Sequence, residues 1–300
     1  MRILVSGSSG LIGTAVSGAL RAEGHTVHRL VRPGRAAESG DLRWDPAAGE
    51  LDRAAAEGAD AVVHLAGASI AEGRWSDARK HLLRSSRVDA TRHLVDGLSK
   101  LARPPKVLVS ASAIGYYGDR GEEALSEQSA PGNDFLAQLA RDWEAEAARA
   151  EQFGIRSVRL RFGIVLSPKG GALARMLLPF RVGAGGRLGS GRQWMSWVSL
   201  PEVIGFIRSA IENTELRGAV NAVAPNPVRN THFTKILGKV LRRPTIFPVP
   251  AFALRILLGE MADALLLSSQ RVVPKQLQDR GYRFQHPDLE QALNAVLWQA

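Results

Sequence analysis

Residues 1–13 read Met-Arg-Ile-Leu-Val-Ser-Gly-Ser-Ser-Gly-Leu-Ile-Gly: a short apolar strand that empties into a glycine-spaced turn and then into a helix. Ile3, Leu4 and Val5 supply the strand, residues 11–23 carry an amphipathic helical pattern, and residues 26–31 read as a second strand. Gly7 and Gly10 allow a tight turn and close approach of backbone to a phosphate, while Gly13 lets the helix pack on the strand. Free N–H groups at a helix start add donors and positive potential. The turn is therefore expected to hold a dinucleotide diphosphate, bounded by Gly7, Ser9, Gly10, Leu11, Ile12 and Gly13.

The alternation persists downstream. Residues 42–44, 61–65, 107–110 and 158–162 read as strands, separated by helical patterns at 78–101 and 133–153. Val88, Thr91, Val95 and Leu98 recur at three- and four-residue spacing, the stripe of a helix packed on a sheet. Right-handed crossovers then build an α/β fold, a doubly wound parallel Rossmann sheet with its crevice at the carboxyl ends of the strands. Residues 167–200 are glycine-rich and contain Trp194 and Trp197, which predicts a helix and a structured loop over the crevice. A strand at 219–222 rejoins the sheet, and helices at 230–242, 250–267 and 288–298 complete the chain. A nucleotide-binding domain over 1–245 and a smaller, mostly helical lobe over 246–300 are expected.

With 300 residues, 45% of them hydrophobic, the chain can bury a large core. No apolar run reaches membrane-spanning length; residues 61–68 are interrupted by His64 and suit a buried parallel strand. Met1-Arg2 leads straight into the strand, so no cleavable leader is expected. The absence of cysteine excludes disulfides, thiolate metal sites and a cysteine nucleophile, and a cytoplasmic protein is the expectation. The net charge of +10 suits anionic partners, yet the arginines are scattered and no nucleic-acid module accompanies them. A small molecule is the expected partner, with neither nucleic acid nor a membrane; the oligomeric state is open.

Arg32 and Arg35 follow the second strand, with no carboxylate there to accept from ribose hydroxyls. A guanidinium at that point pairs with a 2′-phosphate, which favours NADP(H) over NAD(H); a solvated loop arginine is the alternative. His64-Leu65-Ala66-Gly67 closes the fourth strand, and Leu65, Ala66 and Gly67 let backbone approach the cofactor's ribose and phosphates. His64, inside an apolar strand, reads as a satisfied core histidine. Ser110, ending the fifth strand, completes the cofactor set. In 187–197, Arg187 and Arg192 are candidate donors to a substrate carboxylate or phosphate, and Trp194 and Trp197 candidate pocket walls; anchoring the C-terminal lobe is the alternative role for the tryptophans.

These motifs resemble the extended, epimerase-like branch of the short-chain dehydrogenase/reductase superfamily. More narrowly, the chain resembles its atypical NAD(P)-dependent epimerase-family oxidoreductases with a C-terminal DUF1731 domain. Ser6 through Gly13, Trp44-Asp45-Pro46, His64 through Gly67, Ser110 through Gly118, Trp143-Glu144, Arg161-x-Gly163 and Gly189-x-Gly191-Arg192-Gln193-Trp194 carry the match. The resemblance places Ser112 where the substrate-binding serine lies over the nicotinamide. It also implies a Tyr-x-x-x-Lys pair on the next helix, in which lysine lowers the tyrosine pKa for proton exchange. That pair is absent: the helix runs Phe135-Leu136-Ala137-Gln138-Leu139-Ala140. Tyr117 with Ser112 is the candidate acid, with packing beneath a turn glycine as the other role for Tyr117. The expected activity is hydride transfer on a small polar, anionic substrate, and the alternative is an NADP(H)-dependent sensor that has lost catalysis.

Overall fold

The computed structural model describes residues 1–34 and 39–298. Its centre is an eight-stranded sheet in the order Gly218–Ala222, Arg156–Phe162, Val107–Ala113, Ala61–His64, Arg2–Ser6, Thr26–Val31, Leu42–Asp45, Glu50–Leu51. All neighbours are parallel except the last pair, in which Trp44 faces Leu51. Strand order reverses between Arg2–Ser6 and Ala61–His64, which opens a crevice at their carboxyl ends. The expected strands are all present, several a residue or two longer, and the doubly wound architecture stands.

Burial explains the strand sequences. Ile3, Val5, Val63 and Val109 face one layer, with Val16, Leu20, Phe206 and Ile207 packed on it; Leu4, Val62 and Leu108 face the other, against Leu94, Val95 and Leu98. Both faces are covered, so the strands read as continuous apolar runs instead of alternating ones. A third core joins Leu166, Leu173, Phe180 and Trp197 to Phe233, Leu237, Leu293 and Val296, so the segment after the sixth parallel strand packs with the C-terminal helices.

Two helices depart from their sequence patterns. The one expected over 78–101 runs Asp77–Arg84, widens into a π turn over Ser85–Asp89 and resumes as Ala90–Leu98. The one expected over 250–267 ends at Leu258, where Gly259 takes φ +63°, before a short turn at Glu260–Ala262 and a second π segment. In the first break a single wide turn leaves the apolar stripe nearly in phase, whereas in the second the glycine ends the helix outright.

Polar groups buried at strand ends fix the layers to one another. His64 is fully buried; its Nδ1 bonds the Ser6 hydroxyl at 2.7 Å, its Nε2 bonds the Thr91 hydroxyl at 2.9 Å, and Trp44 meets it edge-on. It is a core histidine, as its strand context implied. At the other end, the buried Glu202 carboxylate accepts from the Tyr282 hydroxyl (2.8 Å) and from the N–H groups of Gln285 (2.8 Å) and His286 (2.9 Å). Ser199 caps the same helix and bonds His286. One carboxylate thus pins the tail onto the sheet layer.

Two expectations follow. Burial lowers the His64 pKa from 6.5 to about 4, so the folded state excludes a proton that the unfolded chain accepts. The stabilisation is complete above pH 6.5 and drains away as pH falls toward 4, by about 1.4 kcal/mol per pH unit. Urea unfolding across that window should be shallower in pH for His64→Asn than for wild type; identical slopes would contradict the assignment. Glu202→Ala leaves three partly buried donors without their acceptor and should lower stability by about 3 kcal/mol. Calorimetry showing an unchanged Tm would count against the anchor.

Candidate active-site crevice

The crevice floor is the turn between Ser6 and Leu11. Gly7 has φ +67°, and a Cβ there would lie 2.6 Å from the Leu65 carbonyl. A Cβ on Gly13 would run into the Gly7 oxygen. No side chain caps the helix start at Gly10, which leaves its first N–H groups for a ligand or solvent. Ser9 and Gly10 are exposed; Leu11 and Ile12 are half-buried beside them. Across the groove, the Leu65 N–H donates to the Ser6 hydroxyl and carbonyl, with Ala66 and Gly67 following at the rim. This is a bare, backbone-lined cradle with an uncapped helix start, the arrangement that binds a diphosphate.

At one end of the groove the exposed Arg32, with Pro33, Gly34, Asp45, Pro46 and Ala47, lines a cavity of about 330 Å³. Arg32 has no ion-pair partner among the described residues. The Asp45 carboxylate is spent on the N–H groups of Ala47 and Ala48. Arg35 lies outside the described residues.

Beyond Gly67 stands a cation that sequence reasoning missed. The π turn carries Arg87, which donates to the Ala68 and Leu83 carbonyls at 2.9 and 3.2 Å, and a Cβ on Gly67 would lie 3.2 Å from its guanidinium carbon. No carboxylate pairs with it among the described residues; burial and then the neighbouring Arg79 lower its pKa to about 10. The Nε of Arg79 is itself buried without a partner. A π turn at this place is the signal that could have found it, since such turns gather at functional sites, but side-chain periodicity does not reveal one.

At the carboxyl end of the sheet the expected serine and tyrosine are turned inward. Ser112 shares a strand face with Leu108 and Ser110, and its hydroxyl donates to Glu144 at 2.6 Å. Glu144 holds Arg161 through two bonds of 2.7 and 2.8 Å, Arg161 donates to the Tyr117 hydroxyl at 2.9 Å, and that hydroxyl donates to Asn221 at 2.7 Å. Tyr117 is fully buried, and burial raises its pKa to about 12 against the opposing pull of Arg161 and Asn221. Burial pulls the Arg161 guanidinium down, but Glu144 and Tyr117 outweigh it and the net shift is upward. The expectation that Tyr117 serves as the acid is corrected accordingly: its proton is locked in a core network. Ser110 is likewise sealed, its hydroxyl turned to the adjacent Ala111 carbonyl. Tyr116, half-buried, lays its ring 3.5 Å from the Arg161 guanidinium.

The 187–197 segment also departs from expectation. Trp197 is fully buried in the C-terminal core, with its indole N–H donating to Asn226, and cannot be a pocket wall. Trp194 lies between the Arg229 and Arg271 guanidiniums and donates to Glu122. Arg187 donates to the Ser190 carbonyl within its own turn, and Arg192 is exposed. The loop's backbone pairs with Val249, so its glycines serve a close approach to the backbone around Phe247 and Val249.

The far wall of the groove is the helix Gly171–Arg181, whose first glycines contact Leu11. Three contacts tie the lips together: Arg175 donates to the Ala71 carbonyl at 2.7 Å, Lys80 pairs with Glu260 at 2.5 Å, and Arg74 donates to the Ile256 carbonyl. Among the described residues no cluster of His, Asp or Glu could hold a metal ion, and no helix is long and apolar enough to cross a membrane.

Comparison with known proteins agrees with this geometry. Residues 3–222 match the NAD dependent epimerase/dehydratase family, and residues 249–296 match a domain of unknown function, DUF1731. An epimerase family protein of Mycobacterium tuberculosis is 45% identical over 97% of this chain and 96% of its own. The epimerase family protein YfhF of Bacillus subtilis is 39% identical over 99% and 98%. The crystal structure of human epimerase family protein SDR39U1 with NADPH superposes with a TM-score of 0.90 at 34% identity, covering 99% of both chains. The chain belongs to the NAD dependent epimerase/dehydratase family and carries the DUF1731 domain at its C-terminal end.

Proposed function

We propose that this protein is an NADP(H)-binding oxidoreductase of the epimerase type, acting on a small polar, anionic substrate without a Tyr-x-x-x-Lys pair. The glycine cradle carries the reading: any side chain at Gly7 would collide with Leu65, so the groove is kept bare where a dinucleotide diphosphate lies. The unpaired Arg32 at the end of the second strand supports the phosphorylated cofactor, as does the NADPH of the human relative.

The nicotinamide, when bound, supplies hydride chemistry. The chain's own residues bind and orient. The turn from Gly7 to Gly13 takes the diphosphate, Arg32 takes the 2′-phosphate, and Leu65, Ala66 and Gly67 lie along the riboses. Arg87, with Arg79 beside it, supplies positive charge to an anionic group above Gly67. Tyr116 is the group that exchanges a proton with the substrate, since it is the phenol beside Arg161 that the buried network does not hold by a hydrogen bond. Ser112 and Glu144 act through Arg161 as positioning residues. The anionic substrate follows from Arg87 at this lip, which no carboxylate offsets among the described residues, in place of Arg187 and Arg192. A second reading, a nucleotide-dependent sensor, is favoured by the sealing of Ser112 and Tyr117.

NADPH should bind about tenfold or more tighter than NADH, from about 1.5–3 kcal/mol of charge-assisted contact. Titration calorimetry should show Arg32→Ala erasing that preference; equal affinities in wild type would defeat the cofactor assignment. Single-turnover oxidation of bound NADPH by a panel of anionic ketones and sugar nucleotides tests the chemistry. Tyr116→Phe should slow it by about a hundredfold or more while Tyr117→Phe stays near wild type. A wild-type protein whose bound NADPH no panel member oxidises would favour the sensor.

A further inference from the structure

Three neighbouring segments outside the crevice expose large apolar side chains. Leu178 and Val182 stand on the end of the helix Gly171–Arg181, Ile246 and Phe247 on the loop that follows Leu241, and Phe252 and Ile256 on the helix Ala251–Leu258. Each is 58–72% exposed. The first two segments are in contact, and the helix Ala251–Leu258 follows Phe247 after three residues. The Arg243 guanidinium donates to the Arg181 carbonyl at 2.7 Å, Pro244 packs on Gly183, and the Phe247 carbonyl lies against Gly186.

Arg181, Arg242 and Arg243 rim this surface, all exposed and none paired with a carboxylate among the described residues. The acids nearby are engaged: Asp263 by Arg255, Glu260 by Lys80. Apolar tips inside an unpaired basic rim match a surface that is anionic outside and apolar beneath. A second copy of the chain is a poor match, since its own three arginines would meet these across a symmetric contact. An amphipathic helix from a partner needs a groove, whereas side chains this exposed protrude.

We propose that this face docks the protein on an anionic lipid bilayer, with Phe247, Phe252 and Ile256 entering the headgroup region and the three arginines contacting lipid phosphates. The face adjoins the crevice, because the first glycines of the helix bearing Leu178 lie beside the Leu11 side chain and the Ile256 carbonyl is held by Arg74 on the opposite lip. Docking therefore sets the mouth of the groove against the membrane.

Flotation with vesicles tests this. The purified full chain should float with vesicles of 70% phosphatidylcholine and 30% phosphatidylglycerol and remain in solution with pure phosphatidylcholine, with binding lost in high salt. Replacing all three arginines by glutamine should weaken binding about a hundredfold, and Phe247→Ser with Phe252→Ser about tenfold or more. Unchanged melting temperature and NADPH affinity in these variants would show that the fold is intact. Failure of wild type to float with the anionic vesicles, equal flotation with neutral ones, or a dimer in sedimentation that the same variants dissociate, would each overturn the proposal.

Discussion

The close approach of two backbones, Gly7 on one side and Leu65 on the other, is the constraint on which the molecule is built. Strand order reverses between the strands that end there, and only a residue without a Cβ fits between them. Gly13 extends the constraint one helical turn, and the hydroxyl of Ser6 binds the Leu65 N–H and His64 together just below. Everything that faces the groove is positioned from this point: Arg32 at the end of the neighbouring strand Thr26–Val31, Arg87 over Gly67, and the helix start at Gly10. The sheet's apolar layers stabilise the fold, but this polar and steric knot sets its groove.

At the other end of the crevice the molecule uses charge instead of empty space. Ser112, Tyr117, Glu144 and Asn221, each from a different element, are chained by hydrogen bonds through Arg161. A fully satisfied buried network is rigid and unforgiving of a missing member. It makes a firm bed for Tyr116 and leaves Ser112 and Tyr117 no freedom to move toward a ligand.

The sheet and the cradle were readable in residues 1–13 and in the apolar runs because backbone geometry dictates those residue types directly. Gly7 admits one residue, and a doubly covered strand admits few. The chemistry at the sheet end was not readable in the same way. Ser112 and Tyr117 have the right identities near the right place, but which face of a strand a side chain takes depends on register. The partner that claims Ser112 lies 32 residues away on a helix. Trp194 and Trp197 misled for a related reason: two tryptophans three residues apart look like a pair, yet one is core and the other is stacked between arginines. Arg87 escaped notice because an arginine on a long helix is ordinarily solvated, and only the wide turn beneath it changes where it points. The exposed apolar face of 178–256 was hidden by periodicity itself, which marks hydrophobic stripes without saying whether anything covers them.

The pair of Glu144 and Arg161 has a bearing on how this sequence can drift. Either residue without its counter-ion is a charge left in the protein interior, a loss of about 3–5 kcal/mol, which is a large part of the margin by which a domain stays folded. Replacing both together by apolar groups of matching bulk is far less damaging. A lineage can therefore keep the two positions or exchange them in one step, but it cannot linger between. Residues on separate elements, 17 positions apart, are in that sense a single heritable character. Ser112, Tyr117 and Asn221 are bound to share its history.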